Sequence, residues 1–460
     1  MPDESGFRGL LVCVIVPLQN PGRFSPFPKM SGYSLLEKGK AFLLMFSPGW
    51  LMVIAGFLIL MVSWGSQFAF SVFFAPLARE FGWDRASTSG VFSLSILLFG
   101  VGSIFAGRMT DRWGPRYVVA AGGILMAGGL LLSSTIDSLW QLYLFYGVPT
   151  GLAASAGWGP LAAAIPRWFP ARRGLAMGIM SIGISVGILV IPFLSSHLIT
   201  AFGWRVSFAI LGLVTGTVII GSTFLIKKEP PSSEESRQRE DQPPASPLSP
   251  PPRDWSLTEA LGTRAFWMFF AGYLLWCTGF YMISVHLAVY GIDLGFSPAG
   301  AALGVSLIGG GSIFGKFLMG LLSDRIGPRK VMGINLILQG LCIFGLIFSR
   351  GAFSFYLFSA LFGFGYGGTG PQIPLVVAQF FGLPSLGAIL GALILSGQIG
   401  GDIGPLLAGK IFDLTRSYFF GFLTGGISVL VASLLVFLLR TPPLIPEREK
   451  GAVSKSNAPG

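Results

Sequence analysis

Long apolar stretches separated by short polar turns run through the chain between residues 50 and 439. Each is long enough to cross a hydrocarbon layer ~30 Å thick as a helix. The pattern predicts twelve such spans, near 50–74, 87–107, 117–135, 139–163, 173–196, 204–226, 265–290, 298–321, 331–349, 352–378, 386–410 and 417–439. Apolar residues are continuous within them rather than alternating, so membrane strands are not expected. A helix satisfies its own backbone in lipid, where water cannot. The expected fold class is therefore an all-α membrane protein.

The pattern is also written twice. Gly107-Arg-Met-Thr-Asp-Arg-Trp-Gly-Pro-Arg116 returns as Gly320-Leu-Leu-Ser-Asp-Arg-Ile-Gly-Pro-Arg329, and Asp111 and Asp324 are 213 residues apart. The same offset relates Gly174, Gly178, Gly187 and Pro192 to Gly387, Gly391, Gly400 and Pro405. Trp204, Phe208 and Gly212 match Tyr418, Phe422 and Gly426 one residue further on. A co-linear series of this kind predicts two six-helix, pseudo-symmetric halves, 49–226 and 264–439. Parallel halves of this sort place a substrate between them near the bilayer midplane.

Residues 227–263 between the halves are rich in Pro, Ser and charge and poor in apolar residues. Such a segment buries no core and is expected to be a cytoplasmic, disordered linker. Residues 1–48 and 440–460 are expected to be cytoplasmic tails. Leu10–Pro17 is apolar but too short to span, no small-residue cleavage site follows it, and Met30 is an alternative start.

Composition agrees with a membrane chain. Charged residues make up 11% of the 460, against about 25% in soluble domains. The net charge of +11 would suit nucleic acid, but its placement argues otherwise. With both termini inside, all Lys and Arg fall on the cytoplasmic side except Arg79, Arg85, Arg205, Arg350, Lys410, Arg416 and the intramembrane Lys316. That asymmetry is the positive-inside bias, so nucleic acid is not an expected partner. Cys13, Cys277 and Cys342 are scattered without metal or redox spacing, and no His cluster, phosphate-cradling loop or Ser/His/Asp set is apparent. No metal, cofactor or enzymatic activity is expected.

Within each repeated turn the residue types have physical tasks. Gly107 and Asp111 share a helix face, so a neighbour can pack close to the carboxylate, and Gly114 permits the tight turn before Pro115. The carboxylate is placed to pair with Arg or with a helix N-terminus. The expected conformational latch comprises Gly107, Asp111, Arg112, Gly114 and Arg116, with Gly320, Asp324, Arg325, Gly327 and Arg329. The turn resembles the signature of the major facilitator superfamily. Finer resemblance is to its monocarboxylate porter and oxalate/formate antiporter branches. It rests on Phe70-Ser-Val-Phe-Phe-Ala-Pro-Leu-Ala-Arg-Glu-Phe-Gly-Trp-Asp-Arg85, Trp168-Phe-Pro-Ala-Arg-Arg-Gly-Leu-Ala-Met-Gly178, Phe202-Gly-Trp-Arg205 and Gly404-Pro-Leu-Leu-Ala-Gly-Lys-Ile-Phe-Asp413. It implies twelve helices working by alternating access.

Ionisable residues inside spans are costly and point to function. Lys316 precedes Asp324 by two helical turns and so lies ~12 Å from the cytoplasmic turn. The resemblance implies an Arg at this position that holds the substrate carboxylate; Lys keeps the charge and loses the bidentate fork. Animal monocarboxylate porters place an Asp one turn earlier, where this chain has Ser312. Asp402, ~16 Å below the outer face, is a candidate to replace that acid, either as a proton carrier or as an internal partner of Lys316. His286, ~10 Å below the outer surface, is the second candidate for proton coupling. Trp64, Gln67, Tyr146, Trp158, Tyr281 and Tyr366 are polar-tipped residues at a depth suited to lining a substrate site, as aromatic rings do in similar antiporters.

The expectation is a secondary active transporter of a small organic anion, a monocarboxylate or short dicarboxylate, by proton symport or anion exchange. It would work as a monomer, surrounded by lipid, in the plasma membrane. An exporter of drugs or other metabolites is the rival on the same fold. A non-transporting sensor or scaffold is the rival of another class.

Overall fold

The computed structural model describes residues 48–227 and 255–440, with no strand among them. Both predicted tails and most of the predicted linker lie outside the described residues. The first half holds α1 (Pro48–Phe68), α2 (Phe70–Phe81), α3 (Arg85–Trp113), α4 (Pro115–Ser133), the short α5 (Leu139–Leu142), α6 (Val148–Trp168) and α7 (Arg173–Thr223). The second holds the short α8 (Leu257–Leu261), then α9 (Arg264–Asp293), α10 (Pro298–Ile326), α11 (Pro328–Ile347), α12 (Ala352–Thr369), α13 (Gln372–Phe381), α14 (Leu386–Thr415) and α15 (Phe419–Leu438). Nine stretches among the described residues are long and apolar enough to cross a membrane. Large apolar side chains such as Phe105, Phe193, Phe314 and Phe353 are exposed, as lipid-facing positions would be.

The predicted spans overlie helices, with instructive differences. Two of them are run together in α7, where Gly203 alone leaves helical geometry at φ 77°. The predicted span 139–163 begins in α5, passes through a π turn at Tyr143–Gly147 and continues in α6 to Trp168. The span 352–378 is divided into α12 and α13 at Gly370-Pro371, where proline's missing N–H interrupts the ladder. The described end of the predicted linker segment, 255–263, holds a short helix. Trp255 is buried and its N–H donates to the Phe381 carbonyl at 3.2 Å, and Ser256 with Glu259 forms a capping box that opens α8.

The duplication is visible in the punctuation of the helices. Gly82 and Gly295 both take positive φ, and Asp84 and Ser297 cap α3 and α10 by accepting from Ser87 N (2.8 Å) and Gly300 N (3.2 Å). Gly114 (φ 88°) and Gly327 (φ 90°) then turn the chain into Pro115 and Pro328, each at the first position of its helix. Packing repeats too: Gly187 approaches the Met61 carbonyl and Gly400 the Leu274 carbonyl, joining α7 to α1 and α14 to α9. At the end of the first half away from the repeated turns, two of the quoted motifs meet. Glu80 accepts from Trp204 Nε1 (2.5 Å) and Arg205 (2.6 Å), while Arg205 lies over the Trp204 ring.

The turn glycines give a direct test. L-residues pay about 1–3 kcal/mol in the backbone region of Gly114 and Gly327. Gly114→Ala or Gly327→Ala should therefore lower the unfolding temperature in detergent, whereas Gly128→Ala, where a methyl meets only open space, should not.

Candidate functional site

The repeated turns join the halves crosswise. Asp111, near the end of α3, accepts from Gly387 N (3.3 Å) and Ala388 N (3.0 Å) in the first turn of α14. Asp324, near the end of α10, accepts from Gly174 N (2.6 Å) and Leu175 N (3.0 Å) in the first turn of α7. Each carboxylate thus supplies the acceptors that the first free N–H groups of the other half's helix lack, at its positive end. Contact is close enough that a methyl on Gly107 would overlap the Gly387 carbonyl, and one on Gly174 the Gly320 carbonyl.

The arginines divide by role. Arg112 and Arg325 are exposed, whereas Arg116 lies over the Phe224 ring at 5.3 Å and Arg329 donates to the Val436 carbonyl (3.1 Å) and the Phe437 carbonyl. Phe224 and Phe437 are again 213 residues apart, so both arginines tie their turn to the last helix of their own half. Arg167 adds a cross-half bond to the Leu383 carbonyl at 2.7 Å, which the sequence reading missed.

Most of the contact between halves is made by four helices: α3 on α14, and α7 on α10. On the turn side the facing stripes are shut. Gly391 approaches the Ser103 carbonyl, Gly100 meets Gln398, and Gly178 approaches the Lys316 carbonyl. One helical turn further from the repeated turns, the same four stripes become exposed. Leu97 on α3, Leu189 on α7, Gly309 and Val305 on α10, and Asp402 and Leu406 on α14 stand there. The facing stripes are therefore packed on the side of the turns and exposed on the other, as a cleft opening away from the turns would leave them.

Lys316 lies at the floor of that cleft. It is 4% exposed, and its Nζ donates to Ser185 Oγ on α7, in the other half, at 2.5 Å. Ser185 Oγ is 3.0 Å from Ser312 Oγ, which donates to the Gly309 carbonyl at 2.7 Å. Among the described residues no carboxylate comes within ion-pair distance of Lys316. In particular, Asp402 does not pair with it in this conformation. The residues that the duplication sets opposite Lys316 and Asp402 are Ser103 and Leu189, both uncharged.

The remaining candidates separate into those beside the cleft and those that brace the bundle. Trp64 on α1 packs edge-on to Phe99 (5.4 Å between centroids), at the level of the cleft floor, and its indole N–H has no partner among the described residues. Gln67 is fully buried, donates to Ser95 Oγ at 3.2 Å and leaves its carbonyl oxygen unpaired. Trp158, 9% exposed, belongs to the same apolar cluster as Phe99. In the second half Tyr366 stacks on Phe280 at 4.0 Å, and Tyr281 packs against Gly401 next to Asp402. Tyr273 and Trp276 continue this aromatic group, with Trp276 donating to Gln339 at 2.9 Å; the sequence reading had not singled them out.

Tyr146 departs from expectation. It is wholly buried, and its hydroxyl donates to the Ser66 (2.7 Å) and Gln67 (3.0 Å) carbonyls where α1 gives way to α2. It braces a helix break and faces no cavity in this conformation. His286 has both ring nitrogens engaged, by Tyr418 Oη (3.2 Å) and the Pro405 carbonyl (3.1 Å), and so links α9 to α14.

This architecture and these turns have relatives. The family model of the Major Facilitator Superfamily matches residues 52–315 and 293–458. The chain is 28% identical over 355 residues to the uncharacterized MFS-type transporter YhjX of Escherichia coli (strain K12), covering 76% of this chain and 85% of that one. It is 27% identical over 432 residues to monocarboxylate transporter 4 of Gallus gallus, covering 88% and 87%. The crystal structure of the MFS transporter FucP in the outward conformation superposes with a TM-score of 0.65 at 14% identity, over 86% of this chain and 99% of that one. The sequence relatives, the shared fold and the repeated turns agree: this chain is a multi-pass membrane transporter and belongs to the major facilitator superfamily.

Proposed function

We propose that the protein carries a small organic anion, a monocarboxylate or short dicarboxylate, across the plasma membrane by rocking its two halves about the cleft. The chain crosses the membrane twelve times with both termini cytoplasmic, and it works as a monomer. The observation that carries this reading is Lys316. A buried ammonium whose one hydrogen-bond partner among the described residues is a serine hydroxyl is an uncompensated charge in a low dielectric, and a carboxylate is the ligand that compensates it. Monocarboxylate transporter 4 among the relatives points the same way. The unpaired Trp64 N–H is a further donor at that depth, and Tyr281 and Tyr366 supply aromatic walls. The two Asp-capped helix ends serve as latches of the state closed on the turn side. The structure gives no comparable support to Tyr146 or His286, whose polar atoms are already bonded.

Reconstituted protein should take up at least one of acetate, lactate, pyruvate, formate and oxalate. Uptake of lipophilic cations, with none of these acids, would favour the exporter reading instead.

Asp402, exposed on the cleft face of α14 and unpaired with Lys316, is the proton carrier in this proposal. Asp402→Asn should then exchange carboxylate across liposome membranes at near wild-type rate yet fail to concentrate it under an imposed pH gradient. Equal loss of both activities would place Asp402 in the binding site rather than in coupling.

A further inference from the structure

The hydrogen-bond chain at the cleft floor has a direction. Ser312 spends its one hydroxyl proton on the Gly309 carbonyl of its own helix. Its oxygen can then only accept from Ser185, and Ser185 in turn accepts from Lys316. The chain therefore runs Lys316 N–H to Ser185 O–H to Ser312 O–H to the Gly309 carbonyl. It leaves α10, crosses to α7 at Ser185 and returns to α10. Ser185 is the only residue of the first half in it, and it holds the ammonium against a half that must move away during transport. The duplication sets Gln398 opposite Ser185 and Ser103 opposite Lys316, but Ser103 donates to Phe99 of its own helix instead. Among the described residues, a side-chain to side-chain tie of this kind stands on the α7–α10 side of the interface only.

We propose that Ser185 is a coupling residue: its hydroxyl holds Lys316 across the interface while no anion is bound, and a carboxylate arriving at Lys316 takes its place. Occupancy of the cleft then weakens the closure between α7 and α10, and binding is linked to the separation of the halves on the turn side. The anion part of this inference rests on the carboxylate reading above. The tie itself does not.

The test uses spin labels at Tyr117→Cys and Lys330→Cys, exposed positions 213 residues apart on the turn side of the two halves, in a background without native cysteines. Distance distributions are measured on the full chain in liposomes, without ligand and with lactate or oxalate. A hydrogen bond to a charged group, once removed, should shift the closed-to-open ratio by about tenfold or more. Ser185→Ala should therefore show the longer distance without any carboxylate, and lactate or oxalate should add little. Ser185→Thr, which keeps the hydroxyl, should rest closed and respond as wild type does. A Ser185→Ala distribution like that of wild type, both with and without carboxylate, would overturn the proposal. If Ser185→Ala rests open while wild type ignores every carboxylate, the tie stands and the carboxylate reading falls.

Discussion

Lys316→Gln is expected to abolish carboxylate transport while leaving the protein folded. Glutamine keeps a donor for Ser185 and similar bulk, so the cleft floor stays packed and the change is confined to one charge. An anion entering that floor would meet no cation, and an uncompensated buried charge costs about 3–5 kcal/mol. The apparent affinity should fall by roughly two to four orders of magnitude, enough to remove measurable flux at ordinary substrate concentrations. Lys316→Arg keeps the charge and adds a planar fork, so it should retain transport with a changed preference among carboxylates. Flux in liposomes separates the three proteins. Wild-type rates in Lys316→Gln would remove Lys316 from the site.

Gly107→Val is expected to trap the carrier with its turn side open. The side chain would overlap the Gly387 carbonyl, and backbone cannot give way as a flexible side chain can. Overpacking of this kind costs about 1–3 kcal/mol, all of it borne by the closed state in which α3 and α14 touch. Relieving it means moving the halves apart, which also breaks the Asp111 bonds to Gly387 and Ala388. Transport should fall to a small fraction of wild type. A cysteine at Leu406, exposed in the cleft, should become resistant to a membrane-impermeant maleimide applied from the side opposite the turns. Undiminished labelling with undiminished flux would show that the close approach of α3 and α14 is dispensable.

Much of this was legible because the duplication acts as a ruler. Two copies of one turn fixed the pairing of Asp111 with Asp324 and of Gly174 with Gly387, and counting back from the second copy placed Lys316 deep in the bundle. Carboxylate chemistry at a membrane edge left either an Arg or a helix N-terminus as the partner of each aspartate, and the helix ends, chosen crosswise between the halves, needed coordinates. Ser185 was missed for a simple reason. A serine in an apolar helix carries no periodic signal, and its partner lies 131 residues away. The offset held a clue, since Ser185 and Gln398 are the polar pair that continues the register of Gly178 and Gly391. Tyr146, a candidate for the substrate site, falls in a π turn and in this conformation bonds the Ser66 and Gln67 carbonyls. One extra residue in the turn re-aims the side chains around it, and apolar periodicity does not register that. The helix at Leu257–Leu261 was hidden by the Pro- and Ser-rich composition before it, although Ser256 and Glu259 spell a capping box.

The central claim is that Lys316 binds the transported anion through its charge. It is tested most directly by comparing carboxylates with their neutral amides, lactate with lactamide and oxalate with oxamide, as stabilisers of purified protein in thermal unfolding. A ligand that binds only the folded state raises the unfolding temperature by mass action. Wild type should be stabilised by at least one carboxylate and by neither amide, and Lys316→Gln by none of the four. Stabilisation of Lys316→Gln by the same carboxylate, to the same extent as wild type, would contradict it.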